Sequence, residues 1–519
     1  MINASMLKNA LKNALANLEA NKEYVNSLNV FPVPDGDTGT NMYLTLKSAY
    51  QNISEINSSS CSEISKLASK GALMGARGNS GVILSQILRG FSKGIGDAVD
   101  IDIRTLLNAF VEAHNVSYKA VMKPTEGTIL TVIRFISEHL QKNQKKYSSW
   151  ESIFDEALEI GQIALDKTPE LLPVLKEAGV VDAGGQGLLF IIKGMYDGLL
   201  GKEANYTQSF EVDNDKLIHD NPYRAIFNIN NNSIDVESLK EMLDFCSIIN
   251  SIDKFNTSVR IDLNTNDLSK VFKVAHKYGD LTNFEIKNQL IDDVDNEISE
   301  HKKYGFITVC AGEGLHELFK DLQVDQVVTG GQTMNPSVED FLKCIKKINA
   351  DNIFILPNNS NIIMTAENAA EISDKNIIVI PTKTIPQGIN VMINYDPEND
   401  VDSLVEIFNE SINTVKSISI TKAVRNTNID GIDIKEADYM AILDKKIITS
   451  NEDRISTLNK AIELAIDDNT SIITIIKGED VSDLDFENEV KSLEDKFVDI
   501  EFEKVIGNQP VYDYLISIE

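Results

Sequence analysis

The sequence predicts a multidomain protein with an all-α N-terminal domain, a small α+β middle domain and an α/β C-terminal domain. Three observations predict it. Residues 1–200 carry apolar side chains at helical spacing between Gly-rich loops, with few alternating β-branched runs. From residue 304 onward, short apolar runs alternate with helix-length segments, the rhythm of a parallel sheet with helices packed on it. The 519 residues are also too many for one core, and about 150 residues per domain gives about three domains.

In chain order, Leu7–Ser27, Met42–Ile53, Val82–Phe91, Ile129–Gln141, Trp150–Asp166 and Gly187–Leu199 are expected helices of the first domain, 1–200. The first places Leu7, Leu11, Ala14 and Leu18 on one stripe interrupted by Lys8 and Lys12, so it reads as a core helix and not a secretion signal. A polar stretch, 201–222, is expected to be a linker. The middle domain, 223–303, alternates strands (Ala225–Asn230, Ser258–Leu263) with helices (Asp235–Phe245, Leu268–Tyr278). The C-terminal domain, 304–519, is expected to hold strands Phe306–Ala311, Asp325–Thr329, Ile353–Leu356 and Ile377–Ile380. Strands Tyr439–Leu443, Ser471–Ile476, Val498–Val505 and Tyr512–Ile518 follow in its later half.

Charge narrows the function. Forty-nine Lys and Arg against 79 Asp and Glu leave −30, which argues against a nucleic-acid or anionic-lipid surface. The four cysteines, Cys61, Cys246, Cys310 and Cys344, are scattered without metal-type spacing. No run of about 18 apolar residues would span a membrane. A cytoplasmic location is expected. A protein this anionic that binds a phosphate ligand has to meet it with metal cations and backbone N–H groups.

The strongest local signal is Asn29-Val-Phe-Pro-Val-Pro-Asp35-Gly-Asp37-Thr38-Gly39-Thr40-Asn41. Its two prolines end a helix, and Asp35 and Asp37 flank a glycine so that a turn can aim both carboxylates at one hard cation. Thr38 to Asn41 then open a helix whose N–H groups suit a phosphate. An acidic capped turn fits the same residues. Three further loops also open helices. Gly75-Ala-Arg77-Gly78-Asn79-Ser80-Gly81 carries Arg77, the only cation near the loop, and Ser80 as an expected N-cap. Pro124–Thr128 and Val181-Asp182-Ala-Gly184-Gly-Gln-Gly187 follow. Each alone reads as a capping turn, but a shared anion site at the four helix starts explains so much glycine together.

The run Asn29–Asn41, with Gly75–Gly81, Leu84-Ser-Gln86, Pro124–Thr128 and Asp182–Gly187, resembles the DhaL-type nucleotide domain of dihydroxyacetone kinases and of fatty acid kinase catalytic subunits. The Asn-Val-Phe-Pro-Val-Pro approach resembles the fatty acid kinase branch. So do Gly330-Gly-Gln-Thr-Met-Asn-Pro336, Leu356-Pro-Asn-Asn359, Pro381–Gly388 and Gly507-Asn-Gln-Pro-Val-Tyr512. The resemblance covers nearly the whole chain in order. It implies an antiparallel helical barrel that holds ATP with two Mg²⁺ ions at its mouth, and a C-terminal domain like the DegV-type lipid-binding fold. It also implies Asn29, Asp35 and Asp37 as metal ligands, with Asp35, Asp37 and Arg77 in catalysis. Around the nucleotide it implies Thr38, Gly39, Thr40, Asn41, Gly78, Asn79, Ser80, Gly81, Thr128, Asp182 at the rim, and Gly184. The γ-phosphate would pass to the carboxylate of a fatty acid presented by a separate lipid-binding, FakB-like protein, and the chain would be a homodimer. Two other readings stay open: a DhaL-type kinase of a small hydroxylated substrate such as dihydroxyacetone, and a non-catalytic nucleotide-sensing regulator.

One departure stands out. Relatives carry Val-His-Val-His-Thr in the middle domain, as part of a metal site with a Cys. Here Ile261-Asp262-Leu263-Asn264-Thr265 takes its place, so no zinc is expected there. The C-terminal turns at Gly312, Gly330–Thr333 and Asn358–Asn361 lie at strand ends, where α/β sheets often bind ligands, and read more readily as tight strand-to-helix connections.

Overall fold

Eight long helices of the N-terminal region close into a ring: α1 (Ala4–Ala20), α3 (Thr38–Ser54), α4 (Cys61–Met74), α5 (Gly78–Ile95), α6 (Ile103–Lys119), α7 (Ile129–Lys142), α8 (Trp150–Asp166) and α11 (Ala183–Leu199). Each packs on the next, and α11 returns to α1. The coordinates are a computed structural model that describes residues 1–30, 36–121, 123–202, 223–230, 239–240, 243, 248–254, 258–288, 301–331, 335–423, 427–429, 431–444 and 446–519. Short helices α2 (Lys22–Ser27), α9 (Thr168–Leu171) and α10 (Pro173–Ala178) fill the connections. The expected helix Leu7–Ser27 is therefore two, divided at Asn21, whose side chain donates back to the Asn17 carbonyl. The ring encloses an apolar interior lined by Leu7, Leu84, Ile87, Phe110, Ile133 and Ile191. Two helix pairs approach unusually closely. Added Cβ atoms on Gly90 and Gly94 of α5 would lie 2.6 and 2.5 Å from the Cα atoms of Ala113 and Ala109 on α6. Gly194 and Gly198 of α11 do the same against Ala14 and Ala10 of α1.

The C-terminal region holds two main sheets. A four-stranded parallel sheet runs in the order Gln326–Thr329, Lys302–Cys310, Ala350–Leu356, Asn376–Val379, as the strand–helix rhythm requires. The second sheet has six strands, and of its pairs only Ile472–Gly478 with Glu501–Gln509 is parallel. One of its central strands, Lys416–Lys422, was not expected. Its sequence Lys-Ser-Ile-Ser-Ile-Thr-Lys alternates over too few residues to stand out.

By contact density, Met1–Tyr206 and His301–Glu519 form one compact unit and Thr207–Glu300 a second. Inside the first unit, Ala76 and Val82, at the start of α5, are buried in the same cluster as Val309, Val328, Val338 and Phe341 of the parallel sheet and its helix. The second unit is an antiparallel sheet in the order Ile248–Lys254, Ser258–Thr265, Tyr223–Asn230, Asp280–Asn288, with helix Leu268–Ala275. Asp262 there is paired with Arg224 through two hydrogen bonds of 3.0 and 2.6 Å. All but the first two residues of the expected linker, most of the expected helix Asp235–Phe245 and Cys246 lie outside the described residues. Among the described residues, no helix is long and apolar enough to cross a membrane.

Candidate functional site

The ring alternates helix direction, so α3, α5, α7 and α11 all start at one end. Side chains tie these starts together. Ser80 Oγ of α5 donates to Thr38 Oγ1 of α3 at 3.5 Å. Gly187 of α11 lies against Met42 of α3, and Gly184 of α11 against Ile129 of α7. The four loops singled out by sequence therefore share one rim, towards which the four helices turn the positive ends of their dipoles.

The candidates at the starts of α3 and α5 differ in what they touch. Asp37 is the N-cap residue of α3 but makes no side-chain cap bond to its own helix, so its carboxylate is directed elsewhere. Asp35 lies outside the described residues. Asn29 is buried just before that segment, and Thr38 and Asn41 are buried at the start of α3. Thr40 faces α2: its N–H donates to Asn26 Oδ1 and its hydroxyl accepts from Asn26 Nδ2, both at 3.1 Å. Asn26 was missed from the sequence because a lone Asn on a helix carries no signal. Gly39 serves close packing, since an added Cβ would sit 2.3 Å from the Lys22 carbonyl. Gly81 is likewise pressed against Thr45 of α3.

The second loop corrects one expectation. Helix α5 begins at Gly78 with Arg77 at the N-cap position, so Ser80 sits inside the first turn and is not the cap. Gly78 has φ +57°, a left-handed conformation that suits glycine, and an added Cβ would lie 2.6 Å from Asn41 Nδ2. Arg77 turns to the C-terminal region. Its Nη1 donates to the Asn335 carbonyl at 2.8 Å and lies 3.8 Å from Asp340, while its backbone bridges Ser337. Asn79 Nδ2 donates to Asn361 Oδ1 at 3.2 Å. Asn335, 2% exposed, donates from Nδ2 to Asp37 Oδ2 at 2.5 Å and more weakly to Asn41 Oδ1 at 3.5 Å. Asn361 belongs to a turn at a strand end, and Asn335 to a run that the sequence offered only through its family resemblance. Their partners are some 280–300 residues away, and no local pattern encodes that pairing.

Residues 305–519 match the C-terminal family model of FakA-like fatty acid kinase proteins, and residues 32–197 match the DAK2 domain. Protein YloV of Bacillus subtilis strain 168 is 37% identical over 96% of both chains. The chain belongs to the FakA-like fatty acid kinase family. An uncharacterized protein of Staphylococcus aureus strain MRSA252 is 35% identical to this FakA-like chain, over 100% of it and 99% of the relative. Among solved structures, a dihydroxyacetone kinase of C. freundii in complex with AMP-PNP and Mg²⁺ aligns with 37% of the chain and 33% of its own, at 16% identity and TM-score 0.29. DegV, a fatty acid binding protein of Bacillus subtilis, aligns with 42% of the chain and 99% of its own, at 11% identity and TM-score 0.33.

The remaining candidates of the FakA-like chain cap helices. Thr128 accepts from Leu130 N–H at α7. Asp182 is the N-cap of α11, accepting from Gly185 N–H at 2.7 Å, and is buried there. Burial pushes its carboxyl up to about 7, opposed by the Gly185 and Ile129 N–H groups. An unfolded aspartate titrates near ~3.9, so the folded value is the higher one. Stability from this group is then fully present below about pH 4 and is lost as pH rises through about 7. Asp182→Asn keeps an acceptor for Gly185 and removes the charge. Urea unfolding at pH 5 and pH 8 is expected to show a smaller loss across that interval in the variant than in the parent; equal losses would refute the assignment.

Proposed function

We propose that this chain is the ATP- and Mg²⁺-dependent component that transfers the γ-phosphate to the carboxylate of a fatty acid presented by a separate lipid-binding, DegV-like protein, giving acyl phosphate and ADP. The observation that carries the reading is the meeting of the α3 and α5 starts at Ser80, Thr38 and Asp37 within a chain of the FakA-like family. The site chemistry fits a hard cation. Asp37 and Asn29 carry side-chain oxygens, the donor type that a hard cation takes. Magnesium, when bound, neutralises charge on the phosphates.

The chain's own residues do the rest. Asp37, with Asp35 and Asn29, would hold two metal ions. The Thr38–Asn41 and Gly78–Gly81 turns would hold the phosphates through N–H and hydroxyl groups, with Thr128, Asp182 and Gly184 shaping the far side of the site. Arg77 would act by clamping the C-terminal domain to the phosphate loop. A fatty acid carboxylate is already ionised at neutral pH, so transfer needs positioning and charge neutralisation and no general base. The working form would be a cytoplasmic homodimer that needs no nucleic acid. Pairing of Asp262 with Arg224 supports leaving zinc out of the middle unit.

The deciding assay follows ADP and acyl phosphate with ATP, Mg²⁺ and fatty acid, with and without a purified lipid-binding protein of the DegV type. Product is expected only when the lipid-loaded protein is present. Phosphorylation of free dihydroxyacetone without any partner would overturn the acceptor assignment, and no turnover of either would overturn the enzyme reading.

A further inference from the structure

We propose that the α/β domain completes the metal–phosphate site of the helical ring through Asn335, which acts as a positioning residue for Asp37. The inference rests on the reading of Asp37 as a magnesium ligand. Four observations carry it. Asn335 is buried, yet it reaches across from the α/β domain to the one described acidic residue of the motif. Its amide Nδ2 holds Asp37 Oδ2 at 2.5 Å, which fixes the carboxylate at a helix start where it makes no cap bond of its own. Its backbone carbonyl is in turn held by Arg77 Nη1, so the loop of α5 braces Asn335 from behind. Its Oδ1 is buried and has no hydrogen-bond partner among the described residues.

That bare oxygen decides the matter. A buried amide oxygen left without a donor is destabilising, and proteins seldom leave one so close to a charged group without use. An amide oxygen beside a carboxylate is what a hydrated Mg²⁺ ion meets well, as a ligand or as the acceptor for a metal-bound water. Asn79 repeats the arrangement on the same rim: its Nδ2 is held by Asn361 of the α/β domain, and its Oδ1 is buried without a partner among the described residues. Gly78 lies between, where a Cβ would be 3.1 Å from Asn335 Nδ2, so the junction has no room for a side chain at that position. Metal-site partners of this outer kind typically change metal affinity about 10–100-fold when removed.

The test uses the full chain and calorimetric titration with AMP-PNP, at several Mg²⁺ concentrations and in EDTA. Asn335→Ala is expected to weaken Mg·AMP-PNP binding about 10–100-fold and to raise the Mg²⁺ concentration needed, with metal-free AMP-PNP affinity unchanged. An equal loss with and without metal would mean that the contact is only structural and would overturn the proposal. So would unchanged Mg²⁺ dependence. Because the variant could fail to fold, hydrogen exchange on the parent protein gives a second readout: Mg·AMP-PNP, but not AMP-PNP in EDTA, is expected to protect amides around residues 335–340. No protection there, with protection at the start of α3, sinks the proposal while leaving the kinase reading intact. A parent chain that binds no Mg·AMP-PNP at all sinks that reading instead.

Discussion

Replacing Asp37 with alanine is expected to lower phosphate transfer by about 10²–10³-fold, because a fixed charge that meets the metal–phosphate group contributes to the transition state on that scale. Folding is expected to change little. The Asp37 side chain makes no cap bond to α3, so the usual cost of about 1 kcal/mol for a lost N-cap does not apply in full. Asn335 loses its 2.5 Å acceptor but keeps the weaker contact with Asn41. Asp37→Asn isolates the charge from the shape, since it retains volume and an oxygen while removing the negative charge. Both variants are expected to show parental helix content by circular dichroism and to release ADP far more slowly in the presence of lipid-loaded partner. Parental turnover in Asp37→Asn would show that the carboxylate does not serve the metal.

Much of this site was legible because its chemistry is written in local order. A helix start rich in Asp, Gly, Thr and Ser is visible in the sequence, and the alternation of helix directions then brings such starts to one end of the ring. What each glycine does was not legible. Gly39, Gly81 and Gly187 look like phosphate-loop glycines, yet each is pressed against a neighbouring helix: Gly39 against the Lys22 carbonyl, Gly81 against Thr45 and Gly187 against Met42. A glycine needed for a ligand and one needed for a neighbouring helix leave the same letter, and only the packing separates them. Asn26, Asn335 and Asn361 were illegible for another reason. A short amide acts through one or two hydrogen bonds whose partners the chain brings close only on folding. The six-stranded sheet shows the same limit, since its central strand Lys416–Lys422 pairs with Tyr439–Leu443 and Tyr512–Ile518 and takes its identity from them.

The second large effect concerns the ring and reaches the site through α5. Gly90 faces α6 so closely that an added Cβ would lie 2.3 Å from the Glu112 carbonyl and 2.6 Å from Ala113 Cα. Both are backbone atoms, so no rotamer change relieves the clash and the two helix axes must separate. Gly90→Val is therefore expected to cost about 3 kcal/mol, the upper part of the range for overpacking, and to lower the thermal midpoint by several degrees. Gly179→Ala is the internal comparison. Gly179 has φ +67° but open space around it, so that change costs only the left-handed strain of about 1–2 kcal/mol. The two variants also differ in reach. Helix α5 carries Gly78, Asn79 and Ser80 at its start, and pushing it off α6 tilts that turn away from Thr38. Gly90→Val is thus expected to weaken nucleotide binding as well as stability, whereas Gly179→Ala leaves binding at the parental level. Calorimetric titration alongside thermal unfolding separates the outcomes. Equal stability losses in the two variants would mean that the α5–α6 approach yields more easily than its backbone contacts require.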